Sequence, residues 1–179
     1  MEEQIMNMPA VALRGLTILP GMIAHFDISR ERSLRAVEEA MEQDQKIYLV
    51  TQRNVDSEDP TQEDLYQMGI VADIKQVVRL QNDVVRILVD GISRAALLGF
   101  TGNEKYLEAE ICYCDSNADS LPEDLREAML LGVREAFHRY AAVVGKISKE
   151  LIRQIDQYED LEKLIDYVTN NLPVSYELK

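Results

Sequence analysis

Apolar and polar positions follow two different rhythms along this 179-residue chain. Over the first two thirds, apolar residues alternate with polar ones or run in short blocks, and turn-forming residues recur between the blocks. Residues 11–14 (VALR) and 24–28 (AHFDI) flank the pair Pro20-Gly21, and residues 46–52 (KIYLVTQ) form a β-rich run. Residues 69–80 and 84–91 are separated by Gln81-Asn82-Asp83, a connection of hairpin length, and 93–100 and 106–114 follow. Short spans, period two and closely spaced turns predict a small antiparallel barrel or sandwich. One helix interrupts the strands: SRERSLRAVEEAMEQD sets Leu34, Val37 and Met41 on one face, with Ser29 or Ser33 as its cap. Residues 59–66 (DPTQEDLY) predict a single helical turn entered through Pro60.

The rhythm changes at residues 115–120 (DSNADS), whose small and acidic residues read as a linker. Beyond it the period is helical. Residues 121–144 place Leu125, Met129, Val133, Phe137, Tyr140 and Val144 on one stripe, with Ala128, Leu130 and Leu131 widening the apolar surface. A short helix is predicted over 148–155. Asp156 and Glu159 form a capping-box-like pair ahead of a last helix carrying Leu161, Leu164, Ile165, Val168 and Leu172, and Pro173 ends it. The fold class is therefore α+β: a β-rich domain over 1–115 with one inserted helix, a linker over 116–120, and a helical-bundle subdomain over 121–179.

The stretch VALRGLTILPGM (11–22) sets seven apolar side chains around one charge, Arg14. It follows Glu2 and Glu3 instead of a basic segment, and Arg14 interrupts it, so it fails as a targeting signal. It is also far shorter than the roughly 20 apolar residues that a bilayer span requires. It reads as a buried strand, with Arg14 escaping to a rim or pairing with a carboxylate, because an unpaired buried charge is costly. The expected location is the cytoplasm.

Composition narrows the partners. With 32 acidic and 19 basic residues, the net charge is −13, which opposes binding to nucleic acid or to an anionic membrane surface. The local basic cluster Arg30, Arg32 and Arg35 is interleaved with Glu31 and Glu38. Cys112 and Cys114, two apart on a predicted strand, share a face, where a disulfide between them would be badly strained. They read as ordinary cysteines of a reducing compartment.

Motifs of catalysis are approached and missed. Gly145-Lys146 lacks both the glycine five positions earlier, where Tyr140 stands, and the following hydroxyl residue, where Ile147 stands, of a phosphate-binding loop. GISRA (91–95) has Ala95 in place of the second glycine of a nucleophile elbow. His25 and His138 have no acid or nucleophile at a motif spacing. No catalytic, cofactor-binding or metal-ligating residue is assigned.

A family resemblance rests on residues in order along nearly the whole chain. Leu13-Arg14, then Leu19-Pro20-Gly21-Met22, then Arg30-Glu31-Arg32-Ser33, with Ser29 at a position where the family has glycine, resemble the amino-terminal domain of the Lon ATP-dependent proteases. EDLYQMGIVADI (63–74), ILVDGISRA (87–95) and DLEKLIDYVTNNLP (160–173) continue the resemblance. LQND (80–83) departs from the family's Leu-Pro-Asp-Gly, although Asn82 tolerates the left-handed conformation such a turn uses.

The resemblance implies a PUA-like β-domain with a helical extension, and a non-catalytic amino-terminal fragment of a bacterial ATP-dependent protease. ATP and Mg²⁺, and a serine–lysine peptidase dyad, are then expected only in modules outside these residues. The implied partners are unfolded or degron-bearing proteins and further copies in a hexamer. A binder of many clients needs an exposed apolar patch or an open strand edge, and flexible methionines suit one. Met22, Arg30, Glu31, Arg32 and Met68 are the candidate substrate contacts. The alternatives are a module that mainly holds subunits together through helix 121–144, a free-standing domain of the same type, and an RNA-binding PUA-like domain, which the charge opposes.

Overall fold

The computed structural model describes residues 5–114 and 118–179. Among them one compact unit runs to Cys114 and takes back Val174–Lys179, and a second ends at Pro173.

The first unit carries six strands, β1 (Ile5–Leu13), β2 (Ile23–Ile28), β3 (Lys46–Thr51), β4 (Met68–Arg79), β5 (Val85–Phe100) and β6 (Glu108–Tyr113), with helix α1 (Glu31–Glu42) between β2 and β3. They form one sheet in the order β2-β5-β4-β3-β1-β6, and β6 pairs again with the C-terminal part of β5. The sheet therefore curls on itself. It is not a closed barrel, because the N-terminal part of β5 carries β2, which pairs with no further strand among the described residues. Nor is it wholly antiparallel: β1 and β3 run parallel, Ala10 opposite Tyr48 and Leu13 opposite Thr51. A parallel pair needs a long crossover, and residues 14–45, with β2 and α1, supply it.

Both faces of this sheet are apolar. Val11 and Leu13 of β1 join Ile47, Leu49, Ile87 and Val89 in a core that α1 covers with Ala36, Val37 and Ala40. Met8, Ala10 and Ala12, on the alternate face, join Tyr48, Val50, Val71, Leu97 and Ile111 in a second core. The stretch at residue 11 is thus a buried strand. Arg14, just past its end, is exposed at the rim, the first of the two expected placements, and donates from Nη2 to the Ser57 carbonyl at 2.9 Å.

Several local expectations are corrected. The two strands expected over 84–100 are one 16-residue strand, bent by a register shift opposite Val71 and Ala72. Gly91 lies at that bend, and a Cβ there would come within 2.4 Å of the Leu19 carbonyl oxygen, so the loop after β1 can rest on the sheet only against glycine. Neither Ser29 nor Ser33 caps α1, whose N-cap is Arg30 with no side-chain cap bond. Ser33 is buried instead, and Met41, expected on the core face, is exposed. The turn at residue 82 is as expected: Asn82 and Asp83 both have positive φ, 60° and 56°.

The expected linker falls partly on residues 115–117, which lie outside the described residues; Ala118–Ser120 forms a 3₁₀ turn. The second unit holds α2 (Glu123–Val144), α3 (Lys149–Gln157) and α4 (Leu161–Asn171). Leu130, Phe137 and Ala141 of α2 are buried with Ile155, Leu161 and Leu164. This stripe is rotated from the expected one: Leu125 and Met129 stay 46% and 41% exposed. Apolar residues occupy more than one side of α2, so period alone names no face, and packing on α3 and α4 selects it. Asp160, not Asp156, caps α4 by accepting from the Lys163 amide at 3.0 Å. Asp156 belongs to α3 and stands 2.8 Å from His138 Nε2 in an exposed pair.

Two glycine substitutions test the packing in opposite directions. A Cβ at Gly69 would lie 2.4 Å from the ring of Tyr48, whose hydroxyl donates to the Ala95 carbonyl at 3.1 Å and holds the ring there. Gly69→Ala is predicted to lower stability in urea unfolding by about 1–3 kcal/mol. Gly132 lies inside α2 with open space around it, and Gly132→Ala is predicted to raise the helical unit's stability by up to about 1 kcal/mol.

Candidate functional site

An open groove of about 770 Å³ runs along the first unit beside the end of β3, lined by residues from Arg53 and the segment 61–67 together with Leu97. Its floor is made by backbone pairing. Gln52 and Leu65 bridge antiparallel, the Tyr66 amide donates to the Thr51 carbonyl at 3.0 Å, and the Leu97 amide to the Gln67 carbonyl at 2.8 Å. A one-turn 3₁₀ helix, Gln62–Asp64, is held by a capping box in which Asp64 accepts from the Thr61 amide and hydroxyl, each at 3.0 Å. The Arg53 guanidinium stacks 5.2 Å above the Tyr66 ring. Next to the lining residues Gln67 and Leu97 stand Met68, 47% exposed, and Leu98, 42% exposed. The groove is thus of mixed character: Arg53, Glu63 and uncharged polar side chains line it with Tyr66, while Leu65 and Leu97 lie buried beneath. The exposed Met68 and Leu98 flank it, which suits weak contact with apolar side chains of varied shape.

A second cluster builds the neighbouring loop. Gln52 is fully buried, and its Nε2 donates to the carbonyls of Asn54 and Ser57, each at 3.0 Å. Its Oε1 accepts from Arg30 Nη2 at 2.6 Å, and Arg30 Nη1 reaches the Glu58 carbonyl at 3.2 Å. Arg32 pairs with Asp59 at 3.0 Å and donates to the Asn103 carbonyl at 3.4 Å. Burial lowers the pKa of Arg30, and the neighbouring Arg14 charge lowers it further.

The structure distributes the candidate contacts unevenly. Arg30 and Arg32 converge on the loop 53–59. Glu31 is exposed and pairs with Arg35 along α1. Met68 stands at the start of β4 beside the groove, with Cys114 Sγ 3.5 Å from its sulfur. Met22 is half-buried against the core that α1 covers. Sequence reasoning passed over Tyr66, Leu98, Arg53 and Gln52. Tyr66 and Leu98 carry no motif, and Gln52 reads as the polar end of a strand; its role appears only once the loop folds back over it.

With this geometry in place, comparison with known proteins is informative. The sequence profile of the ATP-dependent protease La (LON) substrate-binding domain matches residues 7–179. The chain belongs to the Lon substrate-binding domain family. It is 36% identical to the Lon protease of Lachnoclostridium phytofermentans over 179 residues, covering all of this chain and 22% of that protein. It is 35% identical to the Lon protease of Clostridioides difficile over 169 residues, covering 93% of this chain and 22% of that one. The chain thus spans about a fifth of the length of these bacterial Lon relatives. In fold it matches the N-terminal domain of a Mycobacterium avium complex Lon protease with a TM-score of 0.75 at 16% identity, over 97% of this chain and 87% of that one. A Lon N-terminal domain protein from Xanthomonas campestris matches with a TM-score of 0.53 at 14% identity, over 94% and 99%. Among the described residues, no helix of this Lon domain is long and apolar enough to cross a membrane.

Gln52→Leu isolates the loop's support. It removes three hydrogen bonds without emptying the site and is predicted to cost about 1–3 kcal/mol of stability. Amide exchange in residues 53–59 should accelerate while that of β4 stays slow.

Proposed function

We propose that this chain engages unfolded or damaged, degron-bearing protein substrates for a bacterial Lon protease, and that the groove beside Tyr66 is its contact surface. The observation that carries this reading is the open groove at the half-buried Tyr66, flanked by the exposed side chains of Met68 and Leu98, on an otherwise strongly acidic chain. An unfolded client offers apolar side chains, and a shallow groove binds them weakly and with little selectivity. Weak capture becomes useful when several copies surround one pore, as in the hexamer that the family resemblance implies. ATP hydrolysis and cleavage by a serine–lysine dyad, in the cytoplasm, would then belong to parts of the parent protein beyond residues 1–179.

Titrating the isotopically labelled chain with a carboxymethylated, permanently unfolded protein tests this. Amide resonances of residues 66–68 and 97–98 should shift, and the pair Met68→Asp and Leu98→Asp should weaken binding about tenfold. No shift in the β-unit at about millimolar client, a concentration that still detects binding worth roughly 4 kcal/mol, contradicts the reading.

A second reading is favoured by α2. Leu125, Met129, Leu131 and Val143 remain exposed, Val143 at 87%. A helix with a second apolar face suits contact between subunits. If assembly is this chain's main task, its mass in solution will be that of an oligomer, and Leu131→Glu will return it to the monomer. A monomeric mass at high concentration opposes that reading.

A further inference from the structure

A smaller cleft, of about 210 Å³, opens in the first unit where β1 and β2 end and α1 begins. One wall is apolar, formed by Leu13, Leu16 and Phe26; the other carries Arg14, Arg30 and Ser33. Three features of the polar wall are unusual for a chain of net charge −13.

First, Arg14 and Arg30 are close enough for Arg14 to depress the pKa of Arg30. Among the described residues neither forms an ion pair within 4 Å: their hydrogen bonds go to the carbonyls of Ser57 and Glu58 and to the Gln52 amide oxygen, and the Asp59 and Glu58 carboxylates act on Arg30 only from a distance. Second, Ser33 is only 4% exposed, yet its hydroxyl has no hydrogen-bond partner among the described residues. That hydroxyl lines the cleft and is not sealed from solvent, so a ligand oxygen can meet it. Third, α1 begins beside the cleft at Arg30 with no side-chain cap, and the one acid of its first turn, Glu31, is paired with Arg35. The one acid in the lining, Asp27, is already neutralised: Arg86 holds both its oxygens, at 2.7 and 2.8 Å, and keeps its pKa below the usual range.

Two adjacent guanidinium groups, a free hydroxyl and an uncapped helix end together fit one carboxylate. The apolar wall distinguishes the ligand from a bare inorganic anion, which would leave Leu16 and Phe26 uncovered. The volume admits about one residue. We propose that this cleft is a subsite for the C-terminal residue of a protein substrate, its α-carboxylate bound between Arg14, Arg30 and Ser33 and its apolar side chain against Leu16 and Phe26. This rests on the reading that the domain engages protein substrates, and it adds a preference for clients with a free, apolar C-terminus.

Calorimetric titration of the whole chain with a hexapeptide ending in leucine tests it, with the free acid and its C-terminal amide as the two arms. The acid should bind about tenfold or more tightly than the amide, the scale of a charge-assisted hydrogen-bond pair. Ser33→Ala removes a group that supports nothing else in the fold, so it should weaken acid binding severalfold with an unchanged melting temperature. Arg14→Gln should erase most of the difference between acid and amide. Equal binding of the two peptides, full acid binding by both variants, or displacement of the acid by equimolar inorganic phosphate overturns the proposal. A carboxymethylated unfolded protein with an amidated C-terminus separates this from the broader reading. If it still binds at the groove while acid and amide peptides bind alike, the carboxylate subsite fails and the groove stands. If nothing binds, both fail.

Discussion

From Met8 onward β1 has no solvent face, and the rest of the first unit is arranged around that fact. Residues 8–13 are all buried, Val11 and Leu13 against the core that α1 covers and Met8, Ala10 and Ala12 against the other. Fully burying a Val, Leu or Met side chain contributes about 1.5–3 kcal/mol, so this strand anchors both cores at once. A strand buried on both sides loses the usual safeguard against slippage, in which a one-residue shift exposes apolar groups. Size takes over from polarity here. Ala10 and Ala12 lie on the side that must admit the Tyr48 ring, and Gly69 clears the space in front of that ring. Val11 and Leu13 fill the side that the small residues of α1, Ala36 and Ala40, approach closely.

That constraint positions everything functional. Because β1 is locked between β3 and β6, the chain leaves it at a defined place, and Arg14 emerges there toward the loop 53–59. Gln52, at the end of the neighbouring parallel strand, receives that loop and Arg30 together. The cleft and the groove are therefore built from residues at the ends of rigid strands, with polar struts in place of apolar packing. Apolar residues go to the two cores, and what remains at the strand ends is a mixture of exposed thioether, aromatic and guanidinium groups. Such a surface suits weak and varied protein contacts.

Much of this was legible in the sequence, for identifiable reasons. Period two marks strands whichever way they run, so the strands were visible while the parallel β1–β3 pair was not. The bend near Gly91 looks like a break when read locally, and only the approach of the Leu19 carbonyl explains the glycine. Asn82 could be read because the left-handed conformation is a property of the residue itself. The buried face of α2 could not, since apolar residues occupy several of its sides and α3 and α4 decide among them. The same holds for the cleft. Arg30 and Arg32 stood out as charged residues in a family-like run, but Arg14 and Gln52 acquire meaning from contacts 43 and 22 residues away, and Ser33 from its place in the lining of the cleft.

Hydrogen exchange on the whole chain, alone and with an unfolded client, tests the central claim most directly: an inward-folded leading strand supports a separate surface that contacts proteins. The account predicts that the amides of Met8 and of residues 10–13 exchange only through global unfolding in both states, while those of 61–67 and 97–98 slow when client is added. Rapid exchange across residues 8–13 in the free chain, or client protection confined to the helices of the second unit, would contradict it.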